Sequence, residues 1–353
     1  MNLQSICRRF FPECNLLSSR EIEIGHINRT LQVTLDLADG PQDFLLQALN
    51  TYVFKQPELV MENIVRVTDH QNSLLRFYPA ADGKFYAIDE DGFWRLCNFI
   101  PSLTYSSGEN LSIVAEAARA FGQFQQKLSD FDASLLHETI PNFHNTRSRF
   151  ADLRKAAEAD SHHRAAEVQE ELSYLFAHED LACTLTDLHQ QGKLPLRVTH
   201  NDTKINNVLF DKDSGKALTV VDLDTVMPGL IGHDFGDALR SAANTQAEDC
   251  PDYDNISVNM DVVRIFTDGY LSVLASSLTE MEIDTLALSA YVLTMEQTAR
   301  FLTDYLQGDV YFRTAYSLHN LVRTRSQLAL AKAFHAALPQ MQKIVAESAE
   351  KYR

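Results

Sequence analysis

One stretch constrains this chain more than any other: His200–Asp224, HNDTKINNVLFDKDSGKALTVVDLD. It opens with the polar run His200–Asn207. Val208–Phe210 and Ala217–Val221 then flank DKDSGK, a turn signal, and read together as a β-hairpin. The second strand of that hairpin is apolar and delivers Asp222. The fold must therefore hold a polar loop and a carboxylate at the two ends of one hairpin.

The polar run fits H-x-D-x-K-x-x-N, with Asp202, Lys204 and Asn207 at the spacings of a kinase catalytic loop. Asp222 is the metal-binding carboxylate that such a loop requires. Phosphoryl transfer from a nucleotide needs a group that orients the attacking hydroxyl, cations for the phosphates, and metal ligands. Asp202 suits the first role and Lys204 the second, as a point charge near the transferred phosphate. Asn207 and Asp222 offer the hard oxygens that Mg²⁺ prefers. His200 reads as a hydrogen-bonding support for the loop rather than a base. An isolated H-x-D in a turn rich in Asp, Asn and Lys is usually accidental. Five placed elements joined by a hairpin are specific.

The rest of the chain changes period once. Within residues 1–100, Glu21–Leu37 holds two strand candidates around GHIN, and Leu31–Leu35 alternates apolar and polar residues. FLLQALN is a further apolar run; Pro57 opens a helix candidate through Glu62 to Val67; Lys84–Asp89 and Phe93–Ile100 form a hairpin about Glu90-Asp91-Gly92. Pro101–Asn110, rich in Ser, Gly and Pro, marks a boundary. Beyond it Ile113, Val114, Ala117, Phe121, Phe124 and Leu128 share a helical face. Residues 147–191 predict two helices stopped by Gly192 and Pro195, and the chain is helical again from Asp234 with breaks near Asp252–Asn259 and Gly308-Asp309. The expectation is an α+β chain of two lobes: a small antiparallel β-rich lobe over 1–100 and a large, mainly helical lobe over 101–353.

Charge and cysteine usage exclude several classes. A net charge of −17 argues against nucleic acid or an anionic membrane as partner. Five scattered cysteines with no CxxC pair suit a reduced, cytoplasmic protein rather than a disulfide framework or a zinc site. The amino terminus lacks the apolar run of a signal peptide, and no segment reaches the roughly 18 apolar residues of a membrane span. No GxxxxGK[ST] occurs, and Gly229, Gly232 and Gly236 do not space as GxGxxG. His137, His144 and His162-His163 lack a convincing third metal ligand and read as solvated or capping residues. The sequence does not specify an oligomeric state.

HNDTKINNVLF, VVDLDT and HDFGDALR resemble the aminoglycoside phosphotransferase and choline kinase superfamily, whose fold is that of the protein kinases. VVDLDTVMPGL (Val220–Leu230), TARFLTDYLQGDVYF (Thr298–Phe312) and IGHIN are similar, within it, to the bacterial N-acetylhexosamine 1-kinases. The resemblance implies ATP between the lobes, with adenine against Asn98–Ile100 and with Phe99 and Ile100 supplying backbone hydrogen bonds and apolar contact. The same two side chains equally suit the end of a core strand. Gly25 and Asn28 fall where the family's phosphate-covering hairpin lies, although GHIN is a poor glycine-rich loop. Gln47 takes the place of the family's lysine, with Glu62 as a helix partner, and glutamine cannot form the usual ion pair.

For a sugar, the resemblance points to Asp202, Asp224, Thr225, Arg300 and Tyr311. The bland readings of the last two are a surface ion pair and a core tyrosine. Asp234 and Asp237 read as an N-cap and a brace for the catalytic loop. The implied activity is ATP- and Mg²⁺-dependent phosphorylation of the anomeric hydroxyl of GlcNAc or GalNAc. The alternatives are a kinase acting on an aminoglycoside, choline or another small alcohol, and a nucleotide-binding pseudokinase.

Overall fold

The computed structural model describes residues 2–22, 28–106, 108 and 110–353. Gly25, one of the expected phosphate-loop residues, lies outside the described residues. The amino terminus forms a helix, α1 (Leu3–Phe10), that the sequence reading did not identify. Its Ile6, Cys7 and Phe10 are buried against the sheet that follows. That sheet holds β1 (Asn15–Glu21), β2 (Arg29–Leu37), β3 (Gly40–Leu49), β4 (Ala87–Asp89) and β5 (Gly92–Asn98), in the antiparallel order β1-β2-β3-β5-β4.

Period-two alternation gives the sheet two faces. Leu31, Val33, Leu35, Phe44, Leu46, Trp94 and Leu96 pack under α1, in a core confined to the small lobe. On the opposite face Leu49, Phe93 and Cys97 join helix α2 (Pro57–His70) and the large lobe in a single apolar core. β5 lies between β3 and β4 and is covered on both faces, so five of its seven residues are buried. Among these is a charged one, Arg95.

The large lobe begins with α3 (Leu111–Lys127), capped by the Asn110 side chain. Residues 147–191 were expected as two helices and form more pieces: α4 (Thr146–Ala159), α5 (Gln169–Ala177), α6 (Glu179–Ala182) and α7 (Thr184–Gln190). α4 ends because Asp160 adopts a left-handed conformation and its carboxylate accepts from the backbone of Arg164 and Ala165. Two short antiparallel pairings then build the site. β6 (Arg197–Thr199) pairs with β9 (Met227–Gly229), and β7 (Val208–Phe210) pairs with β8 (Ala217–Val220) between them. Helices α8 (Ile231–Ala242), α9 (Met260–Leu274), α10 (Glu280–Leu306) and α11 (His319–Tyr352) complete the lobe. α10 starts at a reciprocal Thr279–Glu282 cap and is buried on nearly every face, which makes it the central strut. The cysteines are unpaired, and no helix among the described residues is long and apolar enough to cross a membrane.

Candidate active site

The loop between β6 and β7 is held by side chains of α8. The Asp234 carboxylate accepts from the backbone N–H of His200 at 2.9 Å and of Asn201 at 2.8 Å, and from the Gln125 amide. Asp237 accepts from the Thr203 N–H at 3.2 Å and pairs with Arg240 at 2.9 Å. Both are braces. The N-cap role is corrected, since α8 begins at Ile231 and Leu230 occupies the cap. His200 is fully buried; Nε2 donates to the Val221 carbonyl at 2.9 Å, and Nδ1 accepts from the Asp202 N–H at 3.3 Å. It ties the loop after β6 to the strand that delivers Asp222. Gly229 is required where β9 crosses β6, because a Cβ there would sit 2.2 Å from the Thr199 hydroxyl.

These braces gather the polar residues of the opening stretch. One Asp202 oxygen meets Lys204 Nζ at 2.8 Å and the other accepts from Asn207 Nδ2 at 3.1 Å. Asp202 in turn raises the pKa of Lys204, so the ammonium is held charged. Asn207 spends its NH₂ on Asp202, while its amide oxygen makes no hydrogen bond among the described residues. Asp222, in a left-handed conformation at φ 61°, likewise accepts none among the described residues, and it is exposed. Partial desolvation, with Asp224 and Asp202 close by, raises its pKa to about 6. A free amide oxygen and a free carboxylate, crowded by further carboxylates, fit a hard divalent cation whose remaining ligands are phosphates and water. Among the described residues no three His, Cys, Asp or Glu side chains form a closed metal cage.

The small lobe reaches the turn after Asp222 through an ion pair that the sequence reading missed. Arg95 Nη1 pairs with Asp224 Oδ1, and both side chains are almost wholly buried. Burial alone would lower the basicity of Arg95; Asp224 outweighs it and the pKa rises. Removing one partner would strand the other charge, at a cost of about 3–5 kcal/mol. Asn28 Nδ2 donates to the other Asp224 oxygen, and Asn28 Oδ1 accepts from the Asn50 N–H at 3.0 Å. Both oxygens of Asp224 are thus taken by the small lobe, and contact with a sugar would require them to exchange partners.

Gln47 is committed as well. It accepts from Arg95 Nε at 2.9 Å and donates to Thr30 at 3.0 Å. Glu62 is not its partner; that expectation is corrected, because Glu62 faces outward and meets His137 at 2.8 Å and Arg66 at 3.3 Å. α2 is fixed instead by Asn63, whose amide bonds the Val226 carbonyl and both backbone groups of His137. The Thr225 hydroxyl donates to the His200 carbonyl at 2.7 Å, which ties the turn after Asp222 to the loop after β6. At the connection between lobes, the Phe99 N–H bonds the Asp43 carbonyl at 3.3 Å, and the Ile100 N–H has no partner among the described residues.

Arg300 lies over the rings of Phe143 and Phe312, at 5.4 and 5.5 Å, and bonds Gln297. One turn earlier on α10, Glu296 pairs with His144 at 2.8 Å, and His144 Nε2 lies 3.4 Å from the Asn201 carbonyl. Arg300 thus lies one helical turn from Glu296, whose His144 partner touches the loop after β6. Arg149, also unforeseen, donates to the Phe143 carbonyl and has a buried Nε without a partner among the described residues. Burial and the charge of Arg300 lower its pKa. Tyr311 is exposed, on a loop whose backbone N–H groups from Val310 to Phe312 are collected by Asp304.

The sequence matches the phosphotransferase enzyme family over residues 19–258. Among solved structures, the fold is similar to that of an aminoglycoside phosphotransferase from Alicyclobacillus acidocaldarius, at 12% identity and a TM-score of 0.65, over 98% of this chain and 97% of that one. A choline kinase from Cryptosporidium parvum matches at 14% identity and a TM-score of 0.58, over 96% of both chains. A spectinomycin phosphotransferase, solved with ADP and spectinomycin, matches at 11% identity and 0.55, over 92% of this chain and 94% of that one. At these identities the likeness is one of fold.

Proposed function

The chain belongs to the phosphotransferase enzyme family, and from that premise we propose that it uses ATP and Mg²⁺ to phosphorylate the anomeric hydroxyl of an N-acetylhexosamine, GlcNAc or GalNAc. Asp202 orients that hydroxyl and accepts its proton as the γ-phosphoryl group moves from ATP to the sugar oxygen. Lys204 holds Asp202 in place, at 2.8 Å, and faces the transferred group with its charge. Asn207 and Asp222 would hold Mg²⁺, which when bound neutralises charge on the phosphates. Ile100 offers its N–H to the adenine, with Phe99 beside it.

The observation that carries the choice of acceptor is the pair of guanidinium groups, Arg149 and Arg300, gathered at Phe143, next to the His144 ring that reaches the Asn201 carbonyl. Two neighbouring positive charges repel a cationic acceptor and suit the hydroxyl and acetamido oxygens of a neutral sugar. Tyr311, within electrostatic reach of Arg149, and Thr225 are the further sugar-contacting groups of this reading. A second reading, a cationic amino alcohol or an aminoglycoside, draws on the carboxylates around Asp222 and on the substrates of the structurally similar enzymes. Here, however, Asp224 already has its cation in Arg95.

Purified protein incubated with Mg-ATP and two acceptor panels separates the readings. Sugar 1-phosphate and ADP should form with GlcNAc or GalNAc. Turnover confined to choline, ethanolamine or aminoglycosides would overturn the sugar assignment.

A further inference from the structure

Arg95 and Gln47 stand directly opposite each other on β5 and β3, on the sheet face that also carries Phe93 and Cys97. Every other Lys or Arg among the described residues of the small lobe is exposed. Arg95 is 2% exposed and turned toward Asp224, two residues beyond Asp222. Gln47 steadies its Nε and Asp224 its Nη1, while Nη2 makes no hydrogen bond among the described residues. Helix α2 presents the Met61 sulfur to the guanidinium, at 3.9 Å, in place of a carboxylate. The Asp222 carboxylate lies within electrostatic reach of the same group.

From this arrangement we infer that Arg95 is the cation that the small lobe presents to the nucleotide phosphates, with Gln47 as its positioning partner and Asp224 as its counter-ion. The inference rests on the phosphotransferase reading of the cleft. The charge absent from β3 has moved one strand across the sheet. The acid that balances it has moved from the α2 helix to the turn that follows the metal carboxylate. Arginine suits that place, because one planar group can keep two partners and still offer a nitrogen to a phosphate oxygen. Nucleotide binding is thereby tied to the lobe contact itself, since the same guanidinium serves both.

The test compares the affinity of Mg-ATP with that of adenosine, which lacks phosphates, by calorimetry. Wild-type protein, Arg95→Gln, Arg95→Lys and the double variant Arg95→Gln/Gln47→Lys are measured, each first checked for folding by circular dichroism. Loss of a charged hydrogen bond predicts Mg-ATP binding weaker by about 10- to 100-fold in Arg95→Gln, with adenosine binding unchanged. Gln47→Lys should restore part of the ATP affinity in that background, and Arg95→Lys should keep most of it. Equal losses for ATP and adenosine, or no loss for ATP, would overturn the inference. If Arg95→Gln does not fold, Arg95→Lys decides: a smaller but selective loss of Mg-ATP affinity, with adenosine binding unchanged, supports the phosphate role, and equal losses for the two ligands or no loss for ATP refute it. Wild-type protein that fails to bind Mg-ATP refutes the phosphotransferase reading itself, whereas wild-type binding that Arg95→Gln matches refutes only the role of Arg95.

Discussion

Asp202 is restrained at both oxygens, by the Lys204 ammonium and by the Asn207 amide, before any acceptor arrives. Asp202→Asn would preserve its size and remove its ability to take a proton. Turnover is expected to fall about 10²- to 10⁴-fold while Mg-ATP affinity changes little. Steady-state kinetics and calorimetry check this, and a variant within a few-fold of wild-type turnover would refute the role. Asp202, Lys204, Asn207 and Asp222 were legible in the sequence because their relation is local, a loop and one hairpin. Arg95 and Asp224 are 129 positions apart, His144 and Glu296 152, and Asn63 and Val226 163. No spacing rule spans such separations. One signal for Arg95 was still present: a lone charge in the apolar strand FWRLCNFI, in phase with Phe93 and Cys97.

Elements carry these residues into place, and α8 carries the most. It supplies Asp234 and Asp237 to the catalytic loop while lying against α10. Gly236 makes that approach possible; a Cβ there would stand 2.4 Å from the Ser289 carbonyl oxygen. Helix propensity alone would favour Gly236→Ala by roughly 1 kcal/mol. Overpacking against backbone costs about 1–3 kcal/mol, and rigid backbone places this site toward the upper end. The clash wins, so the variant should melt at a lower temperature and lose activity as its braces shift. An equal or higher melting temperature would refute the close contact. Strands and long helices were legible from period and punctuation, because one face of each is buried. α1 and the division of residues 147–191 were not. The first is short and unmarked, and the second depends on Asp160 turning left-handed to bond backbone beyond it.

The whole molecule is acidic, at −17, yet one of its buried carboxylates opposes acid in a specific way. Burial raises the pKa of Glu296, but His144 and then Arg300 more than reverse this, bringing it from 4.5 to about 2. A carboxyl held below its ordinary value stabilises the fold in full above that value, and the contribution fades as pH falls from about 4.5 toward 2. Glu296→Gln should therefore be less stable than wild type at neutral pH and lose less on acidification over that window. Urea unfolding at a series of pH values measures both slopes; parallel slopes would exclude the linkage. The pair joins α10 to the loop before α4 and to the Asn201 carbonyl, so acid loosens helical packing and the catalytic loop together.

The apolar core on the lower face of the sheet has a consequence for how such an enzyme can change over generations. Leu49, Met61, Ile64 and Phe93 share one interior with Phe121, Val226 and Phe235 of the large lobe. The small lobe owns only the layer beneath α1; its other face has no surface of its own. It is therefore not a portable cassette. Recombination that exchanged residues 1–100 for those of a distant relative would deliver a half-core shaped for another partner, and would leave Asp224 in its turn with no Arg95 to pair it.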